Sequence, residues 1–443
     1  MAKKAKDSGL ALPTPDEERI LREQVFDDLH PGPVVYDFDS LLSLIGPKGI
    51  QVSDKNGFFP LSSVKAINER MSRPIQVKLG RTQQKAYSNI HGLYLLLRAT
   101  GIGLIEKKGS KKILKLDEAM LQSWKDFNPT ERYMSLLESW LFRGFSEILG
   151  ERSLLGNIPT MVILDFLENI PEKGMNLKGG RPEDSFISYQ PGWHVVALMD
   201  LFGVVSVKSA EPAEGNGWRV TRIDRTPFGD ALSKLLEAKL LAPRLPAEPS
   251  PSDEELDDSP FIWEIEGDLV EKSFGKLQPL LQPYFPEWRR ALQLPEGDEF
   301  REGVHIFKVS LDKAWRRIAI PGGNFMQALS QAILIAFDFD DDHLYSFIFE
   351  DRFGMEARIN HPYMDDQPPW VDEIKVGAAP LKPGMSMTFL FDFGDEWEFE
   401  VTLEEVGPVD RRIKKPKLLE AHGKAPVQYQ SWEEDDEEEE EEY

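Results

Sequence analysis

Several carboxylates and one histidine stand in a pattern that could support chemistry. They follow a predicted helix in the last third of the chain and return at a predicted hairpin turn, and the four candidates are Asp342, His343, Asp392 and Asp395. If the end of the helix and the turn meet at one sheet edge, the carboxylate oxygens of the aspartates could hold Mg²⁺ or Mn²⁺. The ion could then activate water for phosphodiester cleavage. Acidic residues at helix ends and turns also accept hydrogen bonds from backbone N–H groups, and we favour that structural role. These residues are candidates for catalysis only, and we assign no metal ligand.

Four lysines flank a Gly-Ser pair and could bind an anionic partner: Lys107, Lys108, Lys111 and Lys112. Two short β-rich runs meet at this pair, which predicts a basic hairpin able to follow the phosphates of a nucleic acid. A charged face that simply contacts solvent is the plainer interpretation, and we favour it. If nucleic acid binds anywhere on this chain, we expect it to bind here.

Other chemical motifs are missing from the sequence. There is no Gly-x-x-x-x-Gly-Lys-Ser/Thr loop and no His-Glu-x-x-His helix. The seven histidines show no ligand spacing, and we expect His91 and His194 to be packed or exposed singly. Cysteine is absent, so disulfides, thiolate metal sites and cysteine nucleophiles are excluded.

The lysines belong to one of two similar segments, at 81–125 and 190–238. Each segment predicts a helix closed by glycine, then a β-hairpin, then a second helix. This order resembles the second half of a winged-helix unit, so residues 33–241 are expected to form a mostly helical region with two winged-helix-like units. A generic α+β segment is the alternative, and winged-helix units often bind proteins rather than DNA.

The regions around these segments differ in composition. Residues 1–32 predict a charged arm, and the proline- and acid-rich stretch 242–260 predicts a linker. Residues 431–443 form an acidic tail, predicted to be disordered, which contributes strongly to the net charge of −24. The tail could contact a basic partner or the basic segment 411–417 of the same chain.

The last third of the chain, 261–430, predicts an α+β domain. Period-two alternation and turn residues give the order β-β-α-β-β-β-β, including a short strand at 373–376. That order predicts a largely antiparallel sheet covered by one helix.

Two motifs in this domain resemble the plasmid pRiA4b ORF-3-like family, whose members include passenger, resolvase-like proteins of insertion elements. The motifs are DDHLYSF at 341–347 and DFGDEWEF at 392–399. The chain departs from the family pattern at Phe391, where the family has tyrosine, and at Phe399, where it has histidine. It also lacks the family's Leu-His pair near Leu329 and its cysteine-containing end, so a metal site based on those residues is not expected. The resemblance implies a fold and a link to mobile elements, and it implies no activity.

The sequence therefore favours a non-catalytic interaction protein without a cofactor, in the class of nucleic-acid-associated or mobile-element accessory factors. Its expected partner is an unidentified protein or a nucleic acid. The alternative is a phosphodiesterase or nuclease dependent on Mg²⁺ or Mn²⁺. No apolar run is long enough to span a bilayer and the N-terminus lacks a secretory signal, so we expect a cytoplasmic protein that does not bind membranes.

Overall fold

The computed structural model describes residues 12–108, 111–151, 159–177, 186–241, 274–295, 300–364 and 368–429. The chain divides into two compact units. The first consists of Met1–Pro295 and Arg352–Met355, and the second of Glu296–Asp351 and Glu356–Tyr443. The predicted linker, the predicted acidic tail and the start of the predicted arm lie outside the described residues. No helix within the described ranges is long and apolar enough to cross a bilayer.

The first unit is mostly helical. Its α-helices are α1 (Pro15–Glu23), α2 (Val34–Ile45), α3 (Leu61–Asn68), α4 (Ser88–Ala99), α5 (Glu118–Asp126), α6 (Pro129–Arg143), α7 (Pro159–Asn169), α8 (Phe186–Tyr189), α9 (Trp193–Leu201), α10 (Pro227–Leu236) and α11 (Gln278–Leu281). Its strands are β1 (Ile50–Val52), β2 (Gly103–Lys108), β3 (Lys111–Leu116), β4 (Met175–Asn176), β5 (Val205–Ser209) and β6 (Val220–Arg225).

One order of elements occurs twice in this unit. A helix, a short strand, two helices, a β-hairpin and a closing helix run from α2 to α5 and again from α7 to α10. Each run forms a three-stranded antiparallel sheet, in the orders β1-β3-β2 and β4-β6-β5. The segments predicted at 81–125 and 190–238 cover only the second half of each run, because β1 and β4 are too short to show alternation. The winged-helix interpretation stays a prediction.

Local sequence signals explain where the repeated helices begin and end. Gly101 and Gly203 follow α4 and α9 with φ of 69° and 71°, a backbone conformation that glycine adopts without a steric penalty. Thr226 caps α10 by accepting a hydrogen bond from the backbone N–H of Gly229 at 2.9 Å. Pro227, next in the chain, occupies a first-turn position where no N–H donor is needed.

Helices α4 and α9 pack against each other at the centre of the unit. All twelve residues of α4 are buried, and so are the residues of α9 from His194 to Leu201. Gly92 makes the close approach possible, because a Cβ there would lie 3.0 Å from the carbonyl oxygen of His194 and 2.7 Å from Cγ of Leu198. The hairpins therefore extend from a shared helical core.

Residues 274–295 belong to the first unit, which corrects their assignment to the C-terminal domain. Their apolar side chains are buried in the first unit's core: Leu277, Leu281, Phe285, Trp288 and Leu292. Glu138 of α6 accepts hydrogen bonds from the backbone N–H groups of Gly275 and Leu277, the latter at 2.9 Å. Long-range contacts of this kind leave no periodic signal in the sequence.

The predicted charged arm, 1–32, is also packed in part. Its helix α1 buries Leu21 and is capped by Thr14, whose hydroxyl accepts from the N–H of Glu17. The carboxylate of Glu17 binds Lys234 of α10 at 2.5 Å. Residues 15–23 are thus part of the folded unit, and the high charge of this stretch concealed its single buried leucine.

The second unit is an α+β domain, as predicted. Its elements are β7 (Val304–Leu311), β8 (Ala314–Pro321), α12 (Met326–Phe337), β9 (Tyr345–Glu350), β10 (Glu356–Asn360), β11 (Ser386–Phe391), β12 (Trp397–Gly407) and β13 (Lys417–His422). The strands form one seven-stranded antiparallel sheet in the order β10-β9-β11-β12-β7-β8-β13. The strand predicted at 373–376 is wrong, since Lys375 makes only an isolated bridge and a 3₁₀ turn begins at Val376.

Helix α12 covers one face of this sheet. It buries Leu329, Ile333 and Phe337, which repeat at helical spacing. Phe337 packs edge-on against Phe399 of β12, with ring centroids 5.1 Å apart. The predicted covering helix is therefore confirmed.

Candidate functional site

The acidic corner of the second unit consists of Asp342, His343 and Asp392. The loop after α12 meets the β11–β12 turn there, and the N–H of Asp392 donates to the carbonyl of Leu344 at 3.0 Å. His343 Nε2 lies 3.5 Å from Oδ2 of Asp392 and 3.9 Å from Oδ1 of Asp342. Sheet pairing thus brings three of the four predicted residues together.

Asp342 is held by the last described residues of the chain. Tyr429 donates its hydroxyl proton to Oδ2 at 2.5 Å, and the amide of Gln428 donates to Oδ1 at 3.2 Å. The hydrogen bond from Tyr429 lowers the pKa of Asp342. The same bond raises the pKa of Tyr429 to about 12. Both oxygens of Asp342 therefore accept hydrogen bonds from protein donors.

Asp392 supports the hairpin turn. Its φ is 58°, in the left-handed region, and its Oδ1 accepts from the N–H of Gly394 at 2.9 Å. This is an Asx turn, in which an aspartate tolerates a backbone conformation that most residues avoid. Asp395 is exposed and makes no hydrogen bond or ion pair with any described residue.

These contacts bear on the metal hypothesis. Asp342 and Asp392 both accept hydrogen bonds from protein groups, and Asp395 makes none. Across the described ranges, no group of three or more histidine, aspartate and glutamate side chains is placed to hold a metal ion. The acidic corner is accounted for by turn and loop stabilisation.

The other predicted site lies on the lysine hairpin, which consists of strands β2 and β3. Its backbone register places Lys107 opposite Lys112 and Lys108 opposite Lys111. Strand β1 pairs with β3 only as far as Lys112, so Lys111 lies beyond the third strand. The tip therefore extends from the sheet as a two-stranded ribbon.

Charge is poorly compensated at this tip. The hairpin holds five lysines and one carboxylate, and that carboxylate, Glu106, binds Lys115 at 2.5 Å. Lys111 is exposed and Lys112 is half-buried, and neither makes an ion pair within the described part of the chain. Like charges directly opposite in an antiparallel pair are destabilising, so this register has a cost in folding free energy.

Sequence reasoning missed a cluster of titratable groups around His91 and His194. These two buried rings meet edge-on, with centroids 5.7 Å apart, rather than lying singly. Glu151 lies 4.0 Å from His91 Nε2 and binds Lys85 at 2.8 Å. Burial lowers the pKa of His194 to about 3, so its ring is neutral. Each histidine lies near a glycine on its helix, and this position did not predict that the two rings are in contact.

Comparison with known proteins confirms the predicted resemblance over the C-terminal domain. Residues 304–429 match the family described as plasmid pRiA4b ORF-3-like protein. An uncharacterised protein, y4hQ, from Sinorhizobium fredii (strain NBRC 101917 / NGR234) is 29% identical over 127 residues. That match covers 27% of this chain and 63% of the relative, so this chain spans less than two thirds of it.

One solved structure is also similar in sequence. It is the crystal structure of a protein of unknown function, MM3350, from Methanosarcina mazei Go1, at 26% identity. The match covers 27% of this chain and 69% of that one, with a TM-score of 0.25, which carries no argument about fold. Neither relative has a described activity.

Proposed function

We propose that this protein is a non-catalytic interaction protein whose lysine hairpin binds nucleic acid. One observation carries the proposal: the backbone register sets four lysine positions opposite one another in two adjacent cross-strand pairs at the end of a ribbon. Such a register is unfavourable in the free protein and becomes favourable when phosphates lie beside it. The hairpin is thus better suited to an anionic partner than to solvent.

The surrounding fold supports this role. The first run has a helix, a strand and two helices before its hairpin, and its last strand lies in the middle of the sheet. That order is typical of winged-helix units, in which the hairpin is the wing, and the second run repeats it. We therefore interpret the first unit as a tandem of winged-helix-like repeats.

The acidic net charge of the chain is compatible with local binding. Contacts with phosphate depend on charges within about 10 Å at ordinary ionic strength, because salt screens more distant ones. The lysine hairpin has a formal charge of +4, from five lysines and one glutamate. Its local field, and not the total of −24, decides whether a phosphate approaches it.

The acidic tail, 431–443, supplies a second electrostatic element of the proposal. Segment 411–417 has Arg411, Lys414, Lys415 and Lys417 exposed, without an ion pair to any residue in the described ranges. The tail would bind this segment or a basic partner protein. A role as a mobile-element accessory factor is proposed from the family resemblance of residues 304–429. The cytoplasmic location is proposed from the sequence alone.

Binding of a labelled duplex DNA to the full-length chain, followed by fluorescence anisotropy at low salt, tests the proposal. The variant with Lys107, Lys108, Lys111 and Lys112 all changed to alanine should bind at least tenfold more weakly. The matched control changes four exposed lysines elsewhere, Lys48, Lys65, Lys313 and Lys424, to alanine, and it should bind as tightly as the unaltered protein. Equal losses in both variants would show that only total charge matters and would reject the hairpin as the site.

A further inference from the structure

We infer that the lysine hairpin binds duplex nucleic acid through the phosphate backbone alone, without reading base sequence. This inference rests on the proposed function, and it adds the class of ligand and the mode of contact. It follows from what the fold leaves accessible beside the hairpin.

Helix α4 is the element that precedes the hairpin, and it cannot reach a groove. A helix reads bases by placing several side chains of one face against their edges in the major groove. Every residue of α4 is buried, from Ser88 to Ala99. Its charged member, Arg98, is only 2% exposed. No face of α4 is left for a ligand.

The contact between α4 and α9 fixes this burial. A Cβ at Gly92 would lie 3.0 Å from a backbone oxygen of α9, so the two helices touch without an intervening side chain. Leu93, Leu96 and Leu97 of α4 are 0% exposed. Exposing the helix would open the largest apolar cluster of the first unit, which makes a change of this kind on binding too costly for a local contact.

The equivalent helix of the second repeat, α9, cannot take the place of α4 in reading bases. In α9 the residues from His194 to Leu201 are buried, and Trp193, the first, packs edge-on against Trp218 with centroids 6.1 Å apart. The equivalent helices of both repeats thus face each other rather than solvent. Among the described residues, Lys111 and Lys112 of the first hairpin make no ion pair, whereas Lys208 of the second lies 4.0 Å from Asp224.

The composition of the hairpin also favours contact with the phosphate backbone over contact with base edges. Arginine, asparagine and glutamine recognise base edges through two hydrogen bonds in a fixed planar geometry, whereas lysine, which can also contact guanine, presents a single flexible ammonium group. Residues 103–116 contain none of these three types. Lysine carries a compact charge on a flexible stem, which suits phosphates at variable positions. The hairpin is therefore equipped for backbone contacts.

Selection from a pool of random 20-bp duplexes, using the full-length protein, tests the inference. We expect no selected sequence to bind more than tenfold more tightly than the starting pool. We also expect Lys111→Ala/Lys112→Ala to weaken binding to every duplex by the same factor. The paired control is Lys313→Ala/Lys424→Ala, which removes two exposed charges that belong neither to the hairpin nor to segment 411–417.

The outcomes separate this inference from the function on which it rests. A selected sequence bound more than tenfold more tightly than the pool would overturn backbone-only contact while leaving nucleic-acid binding intact. Tight binding to single strands with none to duplexes would also overturn it. Absence of binding to any nucleic acid, in a sample shown to be folded by circular dichroism, would overturn both.

Discussion

Lys111 lies directly opposite Lys108 in the last cross-strand pair of the lysine hairpin. A pair of like charges at this position lowers the stability of the hairpin, because residues directly opposite each other in an antiparallel pair lie on one face of the ribbon. Retaining such a pair is expected where binding an anion matters more than folding free energy. A substitution that removes this like-charge pair is therefore expected to raise the stability of the hairpin and to weaken its binding to an anion.

Lys111→Glu should stabilise the protein and weaken binding at the same time. The change places a carboxylate opposite Lys108, and a cross-strand pair of opposite charges contributes about 0.5 kcal/mol. Urea denaturation should show a higher free energy of unfolding, while anisotropy should show weaker binding to duplex DNA. Lys414→Glu, in an exposed loop, should give no gain in stability. A destabilised Lys111→Glu variant would contradict the proposed cost of the lysine pairs.

Asp37 should make the first unit less stable as pH rises. Burial raises its pKa to about 6, against hydrogen bonds from the N–H and hydroxyl of Ser72 at 2.7 and 2.9 Å. The folded state thus holds this proton more tightly than the unfolded state, whose pKa is 3.8. Its stabilising contribution is complete below pH 4 and is lost as pH rises through 6, a change of about 3 kcal/mol.

The measurement is the difference in unfolding free energy between Asp37→Asn and the unaltered protein from pH 4 to pH 8. Asparagine keeps the shape of the side chain and does not titrate, so the difference should shift in favour of the variant as pH rises. A difference that is constant across this range would contradict the raised pKa of Asp37.

His194 should have the opposite pH dependence. Its lowered pKa, about 3, means that the unfolded state binds a proton more readily than the folded state. Its contribution to stability is therefore present above pH 6.5 and is lost as pH falls toward 3. His194→Phe keeps an aromatic ring and removes the titration, so acid denaturation should begin at lower pH.

The acidic corner gives a spectroscopic prediction. Because the hydrogen bond to Asp342 raises the pKa of Tyr429 to about 12, Asp342→Asn should lower that pKa. Titration of a ¹³C label at the tyrosine Cζ, assigned through Tyr429→Phe, reports it directly. An unchanged value would show that the hydroxyl is not bound to Asp342 in solution. If the corner were instead a hydrolytic centre, Asp342→Asn would abolish a divalent-ion-dependent cleavage.

Local chemistry made much of this structure predictable. Gly101 and Gly203 ended helices where expected, and the motifs DDHLYSF and DFGDEWEF lie on the predicted strand and hairpin. The sequence did not predict which residues adopt a positive φ at the β11–β12 turn. The positive φ falls on Asp392 and Glu396 rather than on Gly394, because the Asx hydrogen bond and the N–H of Glu396 fix the turn. Turn type depends on such bonds more than on the presence of glycine.

Contacts distant in the chain were not predictable. The pairing of His91 with His194 depends on the approach of two helices about a hundred residues apart. Strand β13 was missed because its six exposed residues show no alternation, although it pairs with β8. The pairing of the strands brings Asp342, His343 and Asp392 together. The hydrogen bonds of Asp342 to Gln428 and Tyr429 could not be predicted from the motif.

The salt dependence of duplex binding tests the central claim most directly. If four lysines at the tip each neutralise one phosphate, the logarithm of the association constant should fall against the logarithm of salt concentration with a slope of about −3.6. Lys111→Ala/Lys112→Ala should reduce the slope to about −1.8. Lys313→Ala/Lys424→Ala, which removes two exposed charges elsewhere, should leave it unchanged. A slope that is equal in all three proteins would contradict binding of nucleic acid by the lysine hairpin.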